Sequence, residues 1–223
     1  MQAPTLRPRG ELAPYVGEAL AELRGGVDVF LSVLVYQKSF VEGVPLLERA
    51  LAIQERVNGP VHPRVASAVN DLGSAALQQG RLDEAEARFS RMLAIYREVY
   101  GQDHYLIGIA TSNLASVLTE KRAYSEAERL YRQAIAIYER AQSPTHLNTG
   151  IGRIKLGRVL LRRGRLAEAE QESLAGYRIL ANQATPSVSW LQSARTDLAA
   201  IYEALGRPDE AGRYRAELSV AAR

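Results

Sequence analysis

A set of residues recurs along the chain at a constant spacing of 42. One position of this repeat is always leucine and is followed by glycine or alanine, and a later glutamate is always followed by alanine. A spacing that keeps its register over several copies indicates a repeat protein, in which one supersecondary unit is stacked many times. The leucines are Leu72, Leu114, Leu156 and Leu198, the small residues are Gly73, Ala115, Gly157 and Ala199, and the glutamates are Glu84, Glu126, Glu168 and Glu210.

Within each unit, apolar residues recur at three and four positions, which is the spacing of an amphipathic helix. In the unit from Val65 to Val99, a short QQGR segment that contains Gly80 interrupts this pattern. Glycine commonly ends helices because it adopts the left-handed conformation at little cost. Each unit is therefore predicted to be two antiparallel helices, and the columns of small residues allow neighbouring helices to approach closely.

The pattern L-[GA]-x6-G-R-x2-E-A, with an aromatic residue four positions after the alanine, resembles the tetratricopeptide repeat. The 42-residue spacing and the GP-V-HP and GQ-D-HY links are similar to the longer variant found in kinesin light chains and in bacterial signalling proteins. The resemblance covers about residues 20–218. It implies an all-α fold, a right-handed α-solenoid of about five helix hairpins.

The sequence predicts a flexible N-terminal tail, residues 1–11, and one repeat domain, residues 12–223. The predicted units are about 20–61, 62–103, 104–145, 146–187 and 188–223. The first unit is degenerate and contains the apolar run Phe30 to Val35. We expect this run to be covered by the segment Leu12 to Leu23, by a further domain of a longer parent, or by a second copy of the chain. Self-cover is the first expectation, and a homodimer through this unit is the second.

Composition excludes several classes of function. The chain contains no cysteine, which rules out disulfides and thiolate metal sites and favours a cytoplasmic location. The net charge is only +3, and acidic and basic residues are interleaved, so we expect no nucleic-acid partner. The longest apolar stretch, Val29 to Tyr36, is much shorter than the ~20 residues that cross a bilayer. Nearly all the positive charge is arginine, which favours a bacterial source.

The three histidines, His62, His104 and His146, are 42 residues apart and should occupy one position in successive units. Equivalent positions in stacked helix pairs lie about 10 Å apart, whereas zinc needs ligand atoms at about 2.0 Å. We therefore predict no metal site and place each histidine just before or within the first turn of its helix. Glycine-rich phosphate loops are absent, and Ser74 and Ser116 have no histidine in reach, so we predict neither an enzyme nor a cofactor.

The resemblance implies that the first helices of the units form a concave groove that holds a protein or peptide segment. Lys155, Arg158 and Arg162 are spaced i, i+3, i+7 and form a basic stripe on one helix face. In some tetratricopeptide proteins an asparagine and basic residues in these columns hold a peptide carboxylate, so we expect an acidic side chain or free carboxylate here. The predicted groove residues are Asp71, Ser74, Gln78, Asn113, Ser116, Glu120, Lys155, Arg158 and Arg162.

Salt bridges between units are the alternative explanation of these charges. The columns place Glu120 beside Arg162 and Asp197 beside Lys155, which leaves Arg158 without an acidic neighbour. For function, the sequence predicts a non-catalytic scaffold or regulatory module that binds a protein or peptide. The alternative is a small-ligand or signalling-peptide sensor that changes the curvature of the solenoid, which a deep enclosed pocket would favour.

Overall fold

The computed structural model of the chain describes residues 40–220, which form nine α-helices without a strand among them. The first five are α1 (Phe40–Asn58), α2 (Pro63–Gln78), α3 (Leu82–Tyr100), α4 (Tyr105–Glu120) and α5 (Tyr124–Ala141). The last four are α6 (Leu147–Arg162), α7 (Leu166–Ala181), α8 (Val188–Ala204) and α9 (Pro208–Val220).

The helices pack as successive hairpins. Helices α2 and α3, α4 and α5, α6 and α7, and α8 and α9 pack in pairs, and each pair also packs on the next. The first helices of neighbouring hairpins touch directly, α4 with α6 and α6 with α8, so they lie side by side in one layer. This arrangement confirms the predicted all-α solenoid, in which each hairpin contacts mainly its neighbours.

The turn inside each hairpin has the same conformation in four copies. Gly80, Gly164 and Gly206 have φ angles of +72°, +72° and +70°, and Arg122 occupies the equivalent turn with φ +62°. In each turn the N–H of the next residue donates to a carbonyl five residues before it, for example Arg165 to Leu160 at 2.9 Å. This is the Schellman closure of a helix, which explains why the repeat keeps glycine at this position.

The three histidines begin the first helices of three hairpins, as predicted. Each Nδ1 accepts a hydrogen bond from the backbone N–H two residues on, at 3.2 Å for His62, 3.3 Å for His104 and 3.1 Å for His146. These N–H groups have no partner inside their helices, so each histidine serves as the N-cap.

Small residues lie where helices approach most closely. A methyl group on Gly73 would meet the ring of Phe89 at 2.8 Å, and one on Gly157 would overlap the Ser173 hydroxyl. Ala127, the alanine that follows the repeated glutamate Glu126, is completely buried. The columns of small residues therefore mark helix contacts, as the sequence indicates.

The N-terminal predictions concern residues outside the described part of the chain. These are the tail, the apolar run Phe30 to Val35 and its cover by Leu12 to Leu23 or by a second copy. They stay predictions, and so do the boundaries proposed for the domain and its units.

Candidate functional site

The predicted groove residues lie on three neighbouring first helices. We call the surface formed by α2, α4, α6 and α8 the first-helix face. Asp71, Ser74 and Gln78 lie on α2, Asn113, Ser116 and Glu120 lie on α4, and Lys155, Arg158 and Arg162 lie on α6.

Four of these nine residues line one small pocket between α4 and α6, which we call the Lys155 pocket. It has a volume of about 70 Å³ and is open to the surface. Ser116, Glu120, Lys155 and Arg158 are the four predicted residues, and Thr119 of α4 and Tyr131 of α5 complete the lining. The pocket therefore has three hydroxyl groups, two cations and one carboxylate in its wall.

Hydrogen bonds fix the wall of this pocket. The Ser116 hydroxyl donates to the Ser112 carbonyl at 3.0 Å, and it lies 2.9 Å from the Tyr131 hydroxyl. Because a serine hydroxyl has one hydrogen, Tyr131 donates to Ser116. Lys155 Nζ also donates to Ser116 Oγ, at 3.2 Å. Ser116 thus connects the lysine of one hairpin to the buried tyrosine of another.

Lys155 is half-buried, and its ammonium group has no carboxylate partner among residues 40–220. Nζ lies 5.6 Å from the centre of the Trp190 ring on α8, within the range of a cation–π contact. Burial, and then the positive charge of Arg158, lowers the pKa of Lys155 to about 8. An ammonium with three donors and one hydrogen bond retains capacity to bind an acceptor.

Arg158 is held by an acidic residue, which corrects the sequence-based prediction. Its Nε lies 3.1 Å and 3.2 Å from the two carboxylate oxygens of Asp197, and its Nη2 lies 2.8 Å from Oδ2. Nη2 also donates to Ser193 Oγ at 2.6 Å. Asp197 therefore partners Arg158 and not Lys155, because a residue on one first helix faces the next helix one turn away from its column equivalent.

The second predicted pair, Glu120 with Arg162, does not form either. Both residues are exposed near the C-terminal ends of their helices, and no ion pair joins them. The charge of Arg162 acts instead on Asp197, where it opposes the rise in pKa that burial causes. Of the basic stripe, Lys155 and Arg162 are thus without a carboxylate in the described structure, and Arg158 is occupied.

The remaining predicted residues lie away from the pocket. Asn113 Nδ2 donates to Asn70 Oδ1 at 2.8 Å, which ties α4 to α2. Asn70 in turn donates to Asp71 at 3.3 Å. Ser74 is half-buried on α2, and Gln78 is exposed at the end of that helix. The structure therefore divides the predicted groove into a pocket between α4 and α6 and an amide link between α2 and α4.

The sequence reasoning missed several residues of this region. Tyr131 is buried in the core, yet its hydroxyl reaches Ser116. Thr119 follows Ser116 by three positions and lies on the same helix face, a spacing that could have indicated it. Trp190 lies at the start of α8 and is the chain's only tryptophan, but no column marks it.

Within 40–220 no three histidine, aspartate or glutamate side chains form a group that could hold a metal ion. None of the helices described is long and apolar enough to cross a membrane.

The sequence profile described as "Tetratricopeptide repeat" matches residues 32–98, 65–140 and 106–180, and a second profile of the same description matches 192–213. These matches cover more than half of the chain, and the 42-residue hairpins carry the same pattern. The chain belongs to the tetratricopeptide repeat family. A search of curated protein sequences finds no matching relative.

Solved structures show the same fold. The nearly identical TPR-like repeats of a kinesin light chain-like protein from Podosopora anserina align with 93% of this chain and 96% of theirs, at 20% identity and a TM-score of 0.67. BtubC (BKLC) from P. vanneervenii aligns over 94% of this chain and 82% of its own, at 17% identity and a TM-score of 0.74. MamA from AMB-1 aligns over 88% and 97%, at 19% identity and a TM-score of 0.53.

Proposed function

We propose that the chain is a non-catalytic scaffold that binds a protein or peptide segment along the first-helix face. In this proposal an acidic side chain or a free carboxylate of the segment enters the Lys155 pocket. The repeat family and the solenoid fold support protein interaction in general. The pocket supports the choice of an anionic group.

The observation that carries this proposal is the half-buried ammonium of Lys155. Its single hydrogen bond goes to Ser116, and its other two N–H groups have no acceptor in the described structure. A partly desolvated cation gains more from a carboxylate than a solvated one, because water screens the charge less. A carboxylate of the partner would supply the acceptor that residues 40–220 do not.

The size of the pocket favours a side chain over a free ligand. About 70 Å³ admits a carboxylate group, whereas pockets for drug-sized ligands enclose roughly 300–1,000 Å³. The alternative function, a small-ligand or signalling-peptide sensor, therefore has less support from this pocket. We also keep the cytoplasmic location as a proposal, supported by the absence of cysteine.

The test uses two short peptides that are otherwise identical. One has acidic side chains and a free C-terminal carboxylate, and the other has amide groups at these positions. Trp190 is the only tryptophan and lies beside Lys155, so its fluorescence reports binding at the pocket. We expect the acidic peptide to change this fluorescence with a dissociation constant that rises with salt. The amide peptide should bind at least about tenfold more weakly, since the charge-assisted hydrogen bond is lost.

Two variants, each with one lysine replaced by methionine, test whether the preference for the acidic peptide depends on Lys155. Lys155→Met should abolish the preference for the acidic peptide. Lys121→Met is the matched control, because Lys121 pairs with Asp83 and Glu86 of α3 instead of facing the pocket. Equal affinities of the two peptides for the unaltered chain would reject the anion-binding role of the Lys155 pocket.

A further inference from the structure

The two lysines in the described part of the chain have opposite surroundings. Lys121 lies 2.5 Å from Asp83 and 2.6 Å from Glu86. Hydrogen bonds to these carboxylates, first to Asp83, raise the pKa of Lys121. Lys155 has a hydroxyl, an indole ring and a second cation as neighbours. The ammonium form is therefore favoured at Lys121 and disfavoured at Lys155.

We propose that Lys155 is a site of covalent N-acylation, at which its uncharged amine takes a small acyl group from an activated donor such as an acyl phosphate or a thioester.

The groups around Lys155 support this chemistry. Ser116 of α4 and Tyr131 of α5 present hydroxyls, Trp190 of α8 presents its ring, and Arg158 presents a positive charge. Among the described residues neither Asp197, which is bound to Arg158, nor Glu120, which lines the pocket, forms an ion pair with Lys155.

The lowered pKa gives the amine a reactive fraction near neutral pH. With a pKa of about 8, roughly one molecule in ten carries neutral Lys155 at pH 7, against fewer than about one in a thousand for an ordinary lysine. Only the neutral amine has the lone pair needed for attack. The desolvated position of Lys155 is the kind that activates a lysine nucleophile.

The reaction needs no reagent beyond the acyl donor. The lone pair of Nζ attacks the acyl carbon, and the new N–C bond forms while the C–O bond of an acyl phosphate, or the C–S bond of a thioester, breaks. Phosphate or thiolate leaves with the bonding electrons, and the extra proton on nitrogen passes to water. The hydrogen bond to Ser116, whose own hydroxyl is fixed by the Ser112 carbonyl, positions Nζ at the pocket.

Acylation would change what the first-helix face binds. The amide product carries no charge, so it cannot attract a carboxylate, and its acyl group occupies space in the pocket. This consequence rests on the proposed function. The acylation itself does not, because it requires only the free chain and a donor.

The experiment treats the full chain separately with acetyl phosphate and with an acetyl thioester at about pH 7.5, and peptide mass spectrometry measures acetylation at each lysine. We expect Lys155 to react about tenfold faster than Lys121 or more. Reaction with one donor alone would support the proposal and identify the donor class. Equal rates at Lys155 and Lys121 with both donors would overturn it.

A pH series provides the second readout. The rate at Lys155 should level off above about pH 8 to 9, whereas the rate at Lys121 should continue to rise past about pH 10. A rate at Lys155 that also rises past pH 10 would contradict the proposal. The peptide titration described above is separate, so failure of peptide binding and failure of acylation can be told apart.

A double variant tests the contribution of the neighbouring cation. Arg158→Met with Asp197→Asn removes the positive charge without leaving a buried carboxylate, and it should slow acetylation of Lys155 severalfold at about pH 7.5. Arg140→Met with Asp103→Asn removes an exposed pair of the same kind and is the matched control. Equal rates at Lys155 in the two double variants would count against the proposal.

Discussion

Arg158 of α6 binds Asp197 of α8 through both carboxylate oxygens, with Nη2 2.8 Å from Oδ2. Asp197 is only 8% exposed, and burial raises its pKa even though Arg158 opposes the rise. This pair joins two neighbouring first helices. Arg158, which the sequence predicts to bind a partner, therefore forms a contact between hairpins.

We expect Arg158→Met to lower the free energy of unfolding by about 1–3 kcal/mol, because it leaves the buried Asp197 carboxylate without its partner. Adding Asp197→Asn should recover most of this loss. Urea denaturation of the single and double variants measures both effects. Arg140→Met, at the exposed pair with Asp103, is the control and should cost less than about 1 kcal/mol. A loss no larger than that of the control would mean that the pair is merely a surface contact.

The sequence predicts the fold well because each hairpin depends on local features. Amphipathic periodicity, a glycine turn and a histidine cap all occur within one 42-residue unit. Side-chain contacts between units also depend on the axial position of one first helix relative to the next. The 42-residue period does not give this position. Both Lys155–Ser116 and Arg158–Asp197 join residues 39 apart, so α4 and α6, and likewise α6 and α8, are offset by nearly one turn at these contacts. Aligning residues at a spacing of 42 therefore predicted the wrong partner for Asp197, Lys155 in place of Arg158.

The site was predicted only in part, because residue spacing gives positions along a helix but not distances between side chains of different helices. Residue spacing places Lys155, Ser116 and Glu120 on first helices, and the structure brings them into one pocket. Tyr131 could not be placed there from its column, because aromatic residues at this position also fill the core and its ring is 2% exposed. The role of its hydroxyl depends on the distance to Ser116, which only the folded structure provides.

Replacing Arg122 by glycine should stabilise the chain. Arg122 has φ +62°, a conformation that costs a residue with a side chain about 1–2 kcal/mol. Glycine avoids this cost but loses more backbone entropy on folding, roughly 0.5–1 kcal/mol. The expected gain is therefore up to about 1.5 kcal/mol, measured as an increase in the urea midpoint. Gly164→Arg is the reciprocal change and should destabilise, and a gain from both would exclude backbone strain as the cause.

The histidine caps predict different effects for two substitutions of His146. Alanine removes the acceptor for the Asn148 N–H, which should cost about 1 kcal/mol. Asparagine retains a side-chain oxygen that can accept this hydrogen bond, so it should cost much less. Thermal unfolding of the two variants provides the comparison. Equal losses would indicate that His146 contributes through packing and not as a cap.

The contact between Gly157 and Ser173 predicts non-additive substitutions. Gly157→Ala should destabilise by about 1–3 kcal/mol, because its methyl group would overlap the Ser173 hydroxyl and lie 3.1 Å from the Ala169 carbonyl oxygen. In a chain that already carries Ser173→Ala, the same change should cost less, since the overlapping atom is absent. A double-mutant cycle measures the difference. Equal costs in the two backgrounds would place the conflict elsewhere.

The surroundings of Lys155 predict that its stability effect depends on pH. Burial, followed by the charge of Arg158, lowers the pKa of Lys155 to about 8 in the folded chain, whereas an unfolded lysine keeps its proton to about pH 10.4. Between these two values the unfolded state binds more protons than the folded state. Stability from this group therefore rises with pH across that interval.

Lys155→Met should accordingly raise the free energy of unfolding by about 1 kcal/mol or more below pH 8, because it removes a desolvated charge and keeps a side chain of similar length. The lost contacts with Ser116 and Trp190 reduce this gain. The advantage of the variant should shrink as the pH rises from about 8 and should disappear above about 10.4, where the amine is mostly neutral in both states. Urea denaturation at about pH 7, 8.5 and 10 measures how the stability gain changes with pH.

The control is Lys121→Met, which should lower the free energy of unfolding near neutral pH, because it removes a cation that two carboxylates hold. A gain for Lys155→Met that is constant over this range would mean that shape, and not charge, determines the effect.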